Sequence, residues 1–495
     1  ILFLGCGAVS KACLHYFNQF FDFRYENIHI IEMINDEQNF PTVQELIKKG
    51  AHFHNITITY ENPEEVIFKK FSLGEDDIII DLSTRTPTYI IFKLCRLNGV
   101  FYINTSIEDY YDNTPTSINQ QQLHLFDIFN ITKEFGNRTS LIEYGMNPGL
   151  ISSFTKKGIM DLANQVIKKS SDKKLKSELE SILKKYKHKK DNTIYKYLAE
   201  ALKIRVIHCS EIDTLKSNKK LNLDKKIYNT WSCIGLVDEG DEPAEIVLGK
   251  HEKHIPFLES EFTCNMTDML LTSKKGKDLL CKSIVPLKIN KDNTVSFTNM
   301  TGRVIHHGEG CSLRRYLSTH SYSPTMHYVY KTNELTERYL SLPTKELKEI
   351  TSQRDNWVVM NMYEHDLNGN DNVGAHFILE CDPFTGENNL FSWWCGTILD
   401  TDYTKNILKD EYFTPTIIQV MAGLLSGLSW MISNPNKGLC FGEDVDQNYI
   451  FDLCGHYLGK IYSGPTNMKP VGCTLKELLV LDKDDKDKSS VFYHV

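Results

Sequence analysis

The chain contains no Cys-x-x-Cys pair, although 13 cysteines are scattered through its 495 residues. Without that pairing, or any spacing of a zinc or disulfide framework, they read as reduced and mostly buried thiols. A charged-then-apolar leader is also missing, and the expectation is a cytoplasmic protein. The opening "ILFLGCG" has no methionine, so a few residues are expected to precede it. Positive charge is not in excess: the formal net charge is −8, which argues against a general nucleic-acid binder. Long apolar runs are scarce. The one stretch that needs a membrane check, "FTPTIIQVMAGLLSGLSWMISNP" (413–435), is interrupted by Gln419 and several serines. Thr414-Pro415 suits an N-cap and first turn, and Ala422, Gly423, Ser426 and Gly427 suit close packing, so a buried helix is expected there and no membrane association. Metal spacing is lacking too. His251-Glu252-Lys253-His254 separates its histidines by three positions where a zinc-protease helix needs four. His306 and His307, as neighbours on a strand, would point to opposite faces and so not share an ion. No Ser-His-Asp arrangement follows from spacing, no internal repeat is visible, and no metal is expected.

What is present is the composition of a globular protein, 41% hydrophobic and 24% charged, long enough for two to four domains. In the first 150 residues, short apolar runs ("ILFLG", "NIHIIEM", "HFHNITI", "DIIIDL", "VFYIN") alternate with helical periods ("SKACLHYFNQFF", "TVQELIKKG", "PTYIIFKLCRLNG"). That alternation predicts an α/β fold with a Rossmann-type parallel sheet covered on both faces, over residues 1–148. Residues 149–412 are expected to form an α+β catalytic or dimerisation domain on a mostly antiparallel or mixed sheet. Within it, 164–203 is lysine-rich, with Leu175, Leu179, Ile182, Leu183 and Tyr186 at helical intervals, and reads as a solvated surface insertion. Residues 413–495, a helix and a tail closing with a possible strand "VFYHV", are expected to pack back on the first domain, with 413–450 completing it.

The first run continues as "LFLGCGAVS", or Gly5-x-Gly7-x-x-Ser10, between a strand and a helix. Glycines there let the backbone turn tightly and approach a pyrophosphate, which rests on the helix N-terminus. Glu32 ends the next strand, roughly 20 residues on, where a carboxylate binds the adenosine ribose hydroxyls. An acid at that position without an adjacent arginine favours NAD over NADP. Ser10 replaces the third glycine, so slightly looser helix–strand packing is expected. The cofactor-binding set is therefore Gly5, Gly7, Ala8, Val9, Ser10 and Glu32, with Leu82 and Ser83 of "DLSTRTP" (81–87) and Asn104 and Thr105 of "YINTS" (102–106) at the ends of later strands.

Residues 228–245, "YNTWSCIGLVDEGDEPAE", set Trp231 ahead of Asp238, Glu239, Asp241, Glu242 and Glu245, and no Lys or Arg follows until Lys250. A solvated acidic loop beside a core tryptophan is one reading. A pocket for a cation is the other, because an indole face attracts positive charge and carboxylates neutralise it.

"NTWSCIGLVDEGDEPAE", with "GMNPGLIS", "VIHCSEIDT", "HHGEGCSLRRYL", "YSPTMHYVY" and "NPNKGLCFGEDVD", resembles the homospermidine synthases, relatives of the saccharopine dehydrogenases. The likeness runs in order from Gly5 to about Gly464. Departures are Ser10, the lysine-rich segment, and "VLGKHE" where that family tends to carry a tryptophan. The resemblance implies a homodimer that holds NAD tightly as a transient hydride store. Putrescine is oxidised to an imine, ammonia leaves, a second diamine (putrescine or spermidine) forms a Schiff base, and the hydride returns. It further implies that Trp231 holds the cationic intermediates, that Glu239 and Glu211 position the amines, and that Asn147, His307 and Glu309 are further pocket groups. Glu239, Glu211 or His307 is then the general base. Two alternatives stand beside this reading. A net-redox reductive aminase would need pocket arginine for a substrate carboxylate, and the motif segments offer only Arg303, Arg314 and Arg315. The other is a non-catalytic NAD-binding protein.

Overall fold

The computed structural model describes residues 1–84, 86–107, 136–186, 193–223, 226–264, 268–482 and 489–491, with isolated positions between 118 and 125. Arg85, the middle of the lysine-rich segment (187–192) and the last four residues of "VFYHV" lie outside the described residues. The chain divides into two compact units. The first takes 1–150, 230–232 and 416–457, and the second takes 151–229, 233–415 and 458–495.

The first unit opens β1 (Leu2–Leu4), α1 (Ala8–Phe20), β2 (His29–Glu32), α2 (Pro41–Lys48), β3 (His52–Asn55), β4 (Ile78–Asp81), α3 (Thr88–Asn98), β5 (Phe101–Asn104) and β6 (Ser140–Leu141). The strand runs are short and continuously apolar because a parallel sheet is buried on both faces. With the short strand Leu439–Cys440, seven strands lie in the order 439–440, β6, β5, β4, β1, β2, β3, all parallel. The order reverses between β1 and β4, and ligands of such sheets bind outside the strand ends at that point.

The helix Pro415–Ser433 is long and apolar enough to cross a membrane, yet 78% of its apolar window is buried. It is a core helix. A Cβ on Gly423 would lie 2.1 Å from the Gly145 carbonyl oxygen, and one on Gly427 2.3 Å from the Tyr144 ring, so the small residues permit close backbone approach.

The second unit begins with three helices, α4 (Leu150–Lys169), α5 (Lys173–Tyr186) and α6 (Ile194–Ala201). They correct the reading of 164–203 as one solvated insertion. Residues 164–169 finish α4, and α6 buries Tyr195, Leu198 and Ala199; among the described residues of the segment, α5 is the helix that turns a lysine-rich face outward, over buried Leu179 and Tyr186. An eleven-stranded mixed sheet follows: β7 (Ile204–Asp213), β8 (Pro243–Val247), β9 (Phe262–Cys264), β10 (Met269–Lys275), β11 (Leu280–Ile289), β12 (Val295–Ile305), β13 (Thr325–Lys331), β14 (Asn370–Leu379), β15 (Phe391–Asp400), β16 (Lys460–Pro465) and β17 (Leu479–Val480). Its main path is β9-β10-β8-β13-β7-β14-β15-β16, while β11 pairs with β12 and β17, and β12 with β13. The tail 458–495 is thereby corrected as well: β16 pairs with β15 and β17 with β11, so it belongs to the second unit, while 416–457 belongs to the first.

Side chains alternate across this sheet. On β7, Cys209, Glu211 and Asp213 face one way, and β13 sets Tyr328 beside Cys209 and Tyr330 beside Glu211 in parallel register. The other face carries Val206, Ile212 and Val329 into an apolar core with Val285, Ile246 and Leu270. β11 crosses that face, where Ser210 Oγ donates to the Ile284 carbonyl at 2.9 Å.

Candidate active site

In the first unit, Gly5 has φ +84°, and its N–H donates to the Ile31 carbonyl at 2.9 Å. A Cβ there would sit 2.8 Å from the Leu82 carbonyl oxygen, so only glycine fits. Gly7 is the N-cap of α1, and nothing stands within 4 Å of where its Cβ would point, which leaves an open approach for a pyrophosphate. Ala8 and Val9, half-buried, begin the helix. Ser10 is buried and donates from Oγ to the Gly5 carbonyl at 2.8 Å. Where looser packing was expected, the hydroxyl ties helix to turn.

Glu32 accepts from the Cys6 N–H at 2.7 Å and the Ile34 N–H at 3.1 Å, so its carboxylate rests against the glycine turn. Ser83 bonds Asp81 and Thr86 at the end of β4. Asn104 donates to the Ser106 carbonyl at 2.6 Å and accepts from the Glu143 N–H at 2.7 Å. That buried amide holds the strand end in place and has little left for a ligand. Thr105 is half-buried beside it.

The acidic run forms α7 (Cys233–Asp241), not a loop. Asp238, Glu239 and Asp241 occupy its last turn, where the helix dipole is already negative and carboxylates are disfavoured. Counter-charges arrive from distant segments. Lys275 pairs with Asp241, and Lys348 reaches it at 3.3 Å. Glu239 lies 3.9 Å from His307 Nε2, whose Nδ1 is 3.3 Å from Glu309. Glu309 opens α8 (Glu309–Leu317), at the helix end that favours a carboxylate. Its Oε2 is buried with no hydrogen-bond partner among the described residues.

Burial alone would push the His307 pKa down, but Glu309 and then Glu239 outweigh it and raise it from 6.5 to about 10. The ring is therefore an imidazolium at neutral pH. Burial raises the Glu239 carboxyl above its ordinary value, with the His307 charge opposing. His306 behaves oppositely: burial, with the His307 charge, lowers it to about 3, and its Nε2 meets Glu242 at 3.0 Å. Two adjacent histidines are held in opposite charge states by their surroundings.

Beneath His307 lies an aromatic floor. Its ring is 4.1 Å from that of Tyr328, which stacks on Tyr330 at 5.4 Å and 14°. Tyr328 donates from its hydroxyl to Glu211 at 2.8 Å. Glu239, Glu211, His307 and Glu309 are thus brought together in the second unit. Trp231 and Asn147 belong to the first and are both half-buried, Trp231 in a bend just before α7. Sequence reasoning missed Tyr328 and Tyr330, and named Glu242 only as part of the acidic run. The alternation in "MHYVY" was the available signal for the tyrosines, since it puts both on one face.

The family described as the saccharopine dehydrogenase NADP-binding domain matches residues 1–130, and the saccharopine dehydrogenase C-terminal domain matches residues 145–461. The chain belongs to the saccharopine dehydrogenase family. Similar curated relatives are the homospermidine synthase of Blastochloris viridis, 23% identical over 484 residues that cover 95% of this chain and 92% of the relative, and that of Mesorhizobium japonicum, 22% identical with 95% and 91% covered. Among solved structures, the homospermidine synthase of Legionella pneumophila in complex with NAD is similar in fold, with a TM-score of 0.73, 23% identity and 97% of each chain covered. Two arginines of the motif segments are already engaged. Arg303 pairs with Glu337, and Arg314 with Asp268. In this family member "VLGKHE" anchors the tail: His251 Nε2 meets the Cys473 carbonyl at 2.9 Å, and buried Glu252 accepts from the Leu475 N–H at 3.0 Å.

Proposed function

We propose that the chain makes homospermidine from two putrescines, or from putrescine and spermidine, by NAD-dependent aminobutyl transfer with release of ammonia. The observation that carries the reading is the His307 cluster: two carboxylates, Glu239 and Glu309, against one imidazolium, with a third, Glu211, held by the hydroxyl of the tyrosine that floors it. The surplus negative charge suits a diamine, which is dicationic in water, and repels a carboxylate substrate. Similarity to homospermidine synthases along nearly the whole chain supports the same substrate class.

The open side of Gly7, the left-handed Gly5 and the acid at Glu32 fit an NAD cradle. Gly5, Gly7 and Glu32 would hold NAD, which would supply a reversible hydride acceptor for the amine-bearing carbon. A protonated amine holds its hydride, so the reacting nitrogen must first lose a proton. Glu239 is our choice for that base, because burial has raised its carboxyl toward the working pH. His307 already carries its proton and serves as the acid, protonating the amine that leaves. Glu211, fixed by the Tyr328 hydroxyl, anchors the distal ammonium. Trp231, eight residues before Glu239, is assigned to cation stabilisation, an interaction of about 2 kcal/mol when desolvated.

Incubating the protein with putrescine and NAD, scored by mass for homospermidine and ammonia, tests the reading. Trp231→Phe should keep partial turnover and Trp231→Ala lose most of it, with NAD binding unchanged in both. Equal thermal destabilisation by the two, with activity following the fold, would return Trp231 to a packing role. Oxidised amine with net NADH would favour a redox enzyme instead.

A further inference from the structure

On the sheet face opposite Glu211 and Tyr328, three histidines stand in line across three strands. His208 of β7 is in register with His327 of β13 on one side and His376 of β14 on the other. β11 lies over them and contributes Cys281 and Ser283, and all five residues are buried. His208, His327 and Cys281 each offer one ligand atom, and these atoms all lie within 4.8 Å of one another. His327 Nε2 is 3.3 Å from Cys281 Sγ. Some polar atoms here are paired: His208 Nδ1 meets Ser283 Oγ at 3.0 Å, Ser283 Oγ meets His376 Nδ1 at 3.0 Å, and His376 Nε2 meets Ser392 Oγ at 2.8 Å. His208 Nε2 and His327 Nδ1 have no hydrogen-bond partner among the described residues. An unpaired His208 Nε2 in the interior is destabilising, and a metal ion is a partner that this nitrogen, the Cys281 thiolate and the His327 Nε2 beside it could share.

We propose that His208, His327 and Cys281 form a site for one zinc-class transition-metal ion. Two imidazoles and a thiolate select borderline-soft ions over magnesium or calcium. Zinc bonds of about 2.05 Å to nitrogen and about 2.3 Å to sulfur, at the tetrahedral angle, give an N–S edge of about 3.6 Å. The observed 3.3 Å needs little adjustment to reach it. Ser283 accepts the His208 Nδ1 proton and so turns Nε2 to the ion, as the outer partners of metal-bound histidines do. A cavity of about 240 Å³, lined by Ser283, His376, Met300 and Val471 among others, adjoins the cluster at Ser283 and His376. Binding converts the Cys281 thiol to thiolate and releases its proton to solvent. The ion ties β11 to the strands that carry Glu211 and Tyr328 on their other face.

The test uses the full chain, dialysed against zinc and then freed of excess, with bound metal measured by mass spectrometry and a cobalt-substituted form examined by absorption. The site predicts about one zinc per chain and a thiolate-to-cobalt charge-transfer band. Cys281→Ser and His327→Gln should weaken retention at least about tenfold, while Cys454→Ser, a buried thiol elsewhere, should not. Circular dichroism establishes that each variant is folded. If neither site variant folds, the wild-type cobalt band decides: its presence supports the site and its absence overturns it. Substoichiometric zinc in folded wild-type protein, or full retention in folded Cys281→Ser and His327→Gln, also overturns it and leaves Cys281 and His327 as a buried hydrogen-bonded pair.

Discussion

Replacing Glu309 with glutamine keeps the shape of the His307 environment and removes one charge. The consequence can be worked from two distances. Glu309 is 3.3 Å from the ring and Glu239 is 3.9 Å away. At an effective dielectric constant of about 20, they contribute about 5 and about 4 kcal/mol in favour of the imidazolium. The rise from 6.5 to about 10 corresponds to roughly 5 kcal/mol, at about 1.4 kcal/mol per pH unit. Burial is the largest single influence on the ring and opposes protonation. In Glu309→Gln it is faced by Glu239 alone, and His307 should titrate at or below its ordinary value of 6.5. The assay is NMR of protein with isotopically labelled histidine, the His307 signal being assigned from its loss in His307→Asn. At pH 8 the ring should be charged in the wild type and largely neutral in Glu309→Gln. A wild-type ring that titrates below pH 7, or a titration unmoved by the substitution, would refute the electrostatics of the cluster.

The same residue makes stability depend on pH. Its folded pKa lies above its unfolded one, so the stabilisation is complete below about pH 6.5 and is lost as pH rises through about 10. Urea unfolding across that window should show a steeper decline in the wild type than in His307→Gln; parallel curves would contradict this. Calorimetry should find NAD bound more tightly than NADP, because Glu32 repels a 2′-phosphate, and Glu32→Ser should narrow the gap. Gly7→Ala should leave thermal stability intact yet weaken NAD, since its Cβ points into open space; a lowered Tm with normal NAD affinity would deny the cradle. Gly423→Ala should do the reverse, losing about 1–3 kcal/mol of stability through overpacking against Gly145.

The Rossmann half was legible because its signals are local. "LFLGCGAVS" carries strand, turn and helix within nine residues, and Glu32 ends the very next strand. The helix at 415–433 was legible for the same reason, its small residues lying on one stretch. Charge states were not. The acidic run looked uncompensated because Lys275, Lys348 and His307 reach it only through the fold. That same remoteness concealed the charge held on His307 and left the base unassigned. Strand register concealed the rest: nothing in "VIHCS", "LLCKS" and "TMHYV" announces that His208, Cys281 and His327 meet. The lysine segment misled because composition reports the exposed face of α5 and says nothing of the buried residues of α6.

The central claim is a transfer without net redox change, and deuterium tests it most directly. Putrescine deuterated at both amine-bearing carbons is given with unlabelled NAD, and the product is weighed by mass spectrometry. The account predicts homospermidine that retains all the deuterium of its two parents, with ammonia released in equal amount and no reduced cofactor accumulating. A product one deuteron short, labelled reduced cofactor free in solution, or no homospermidine at all would contradict it.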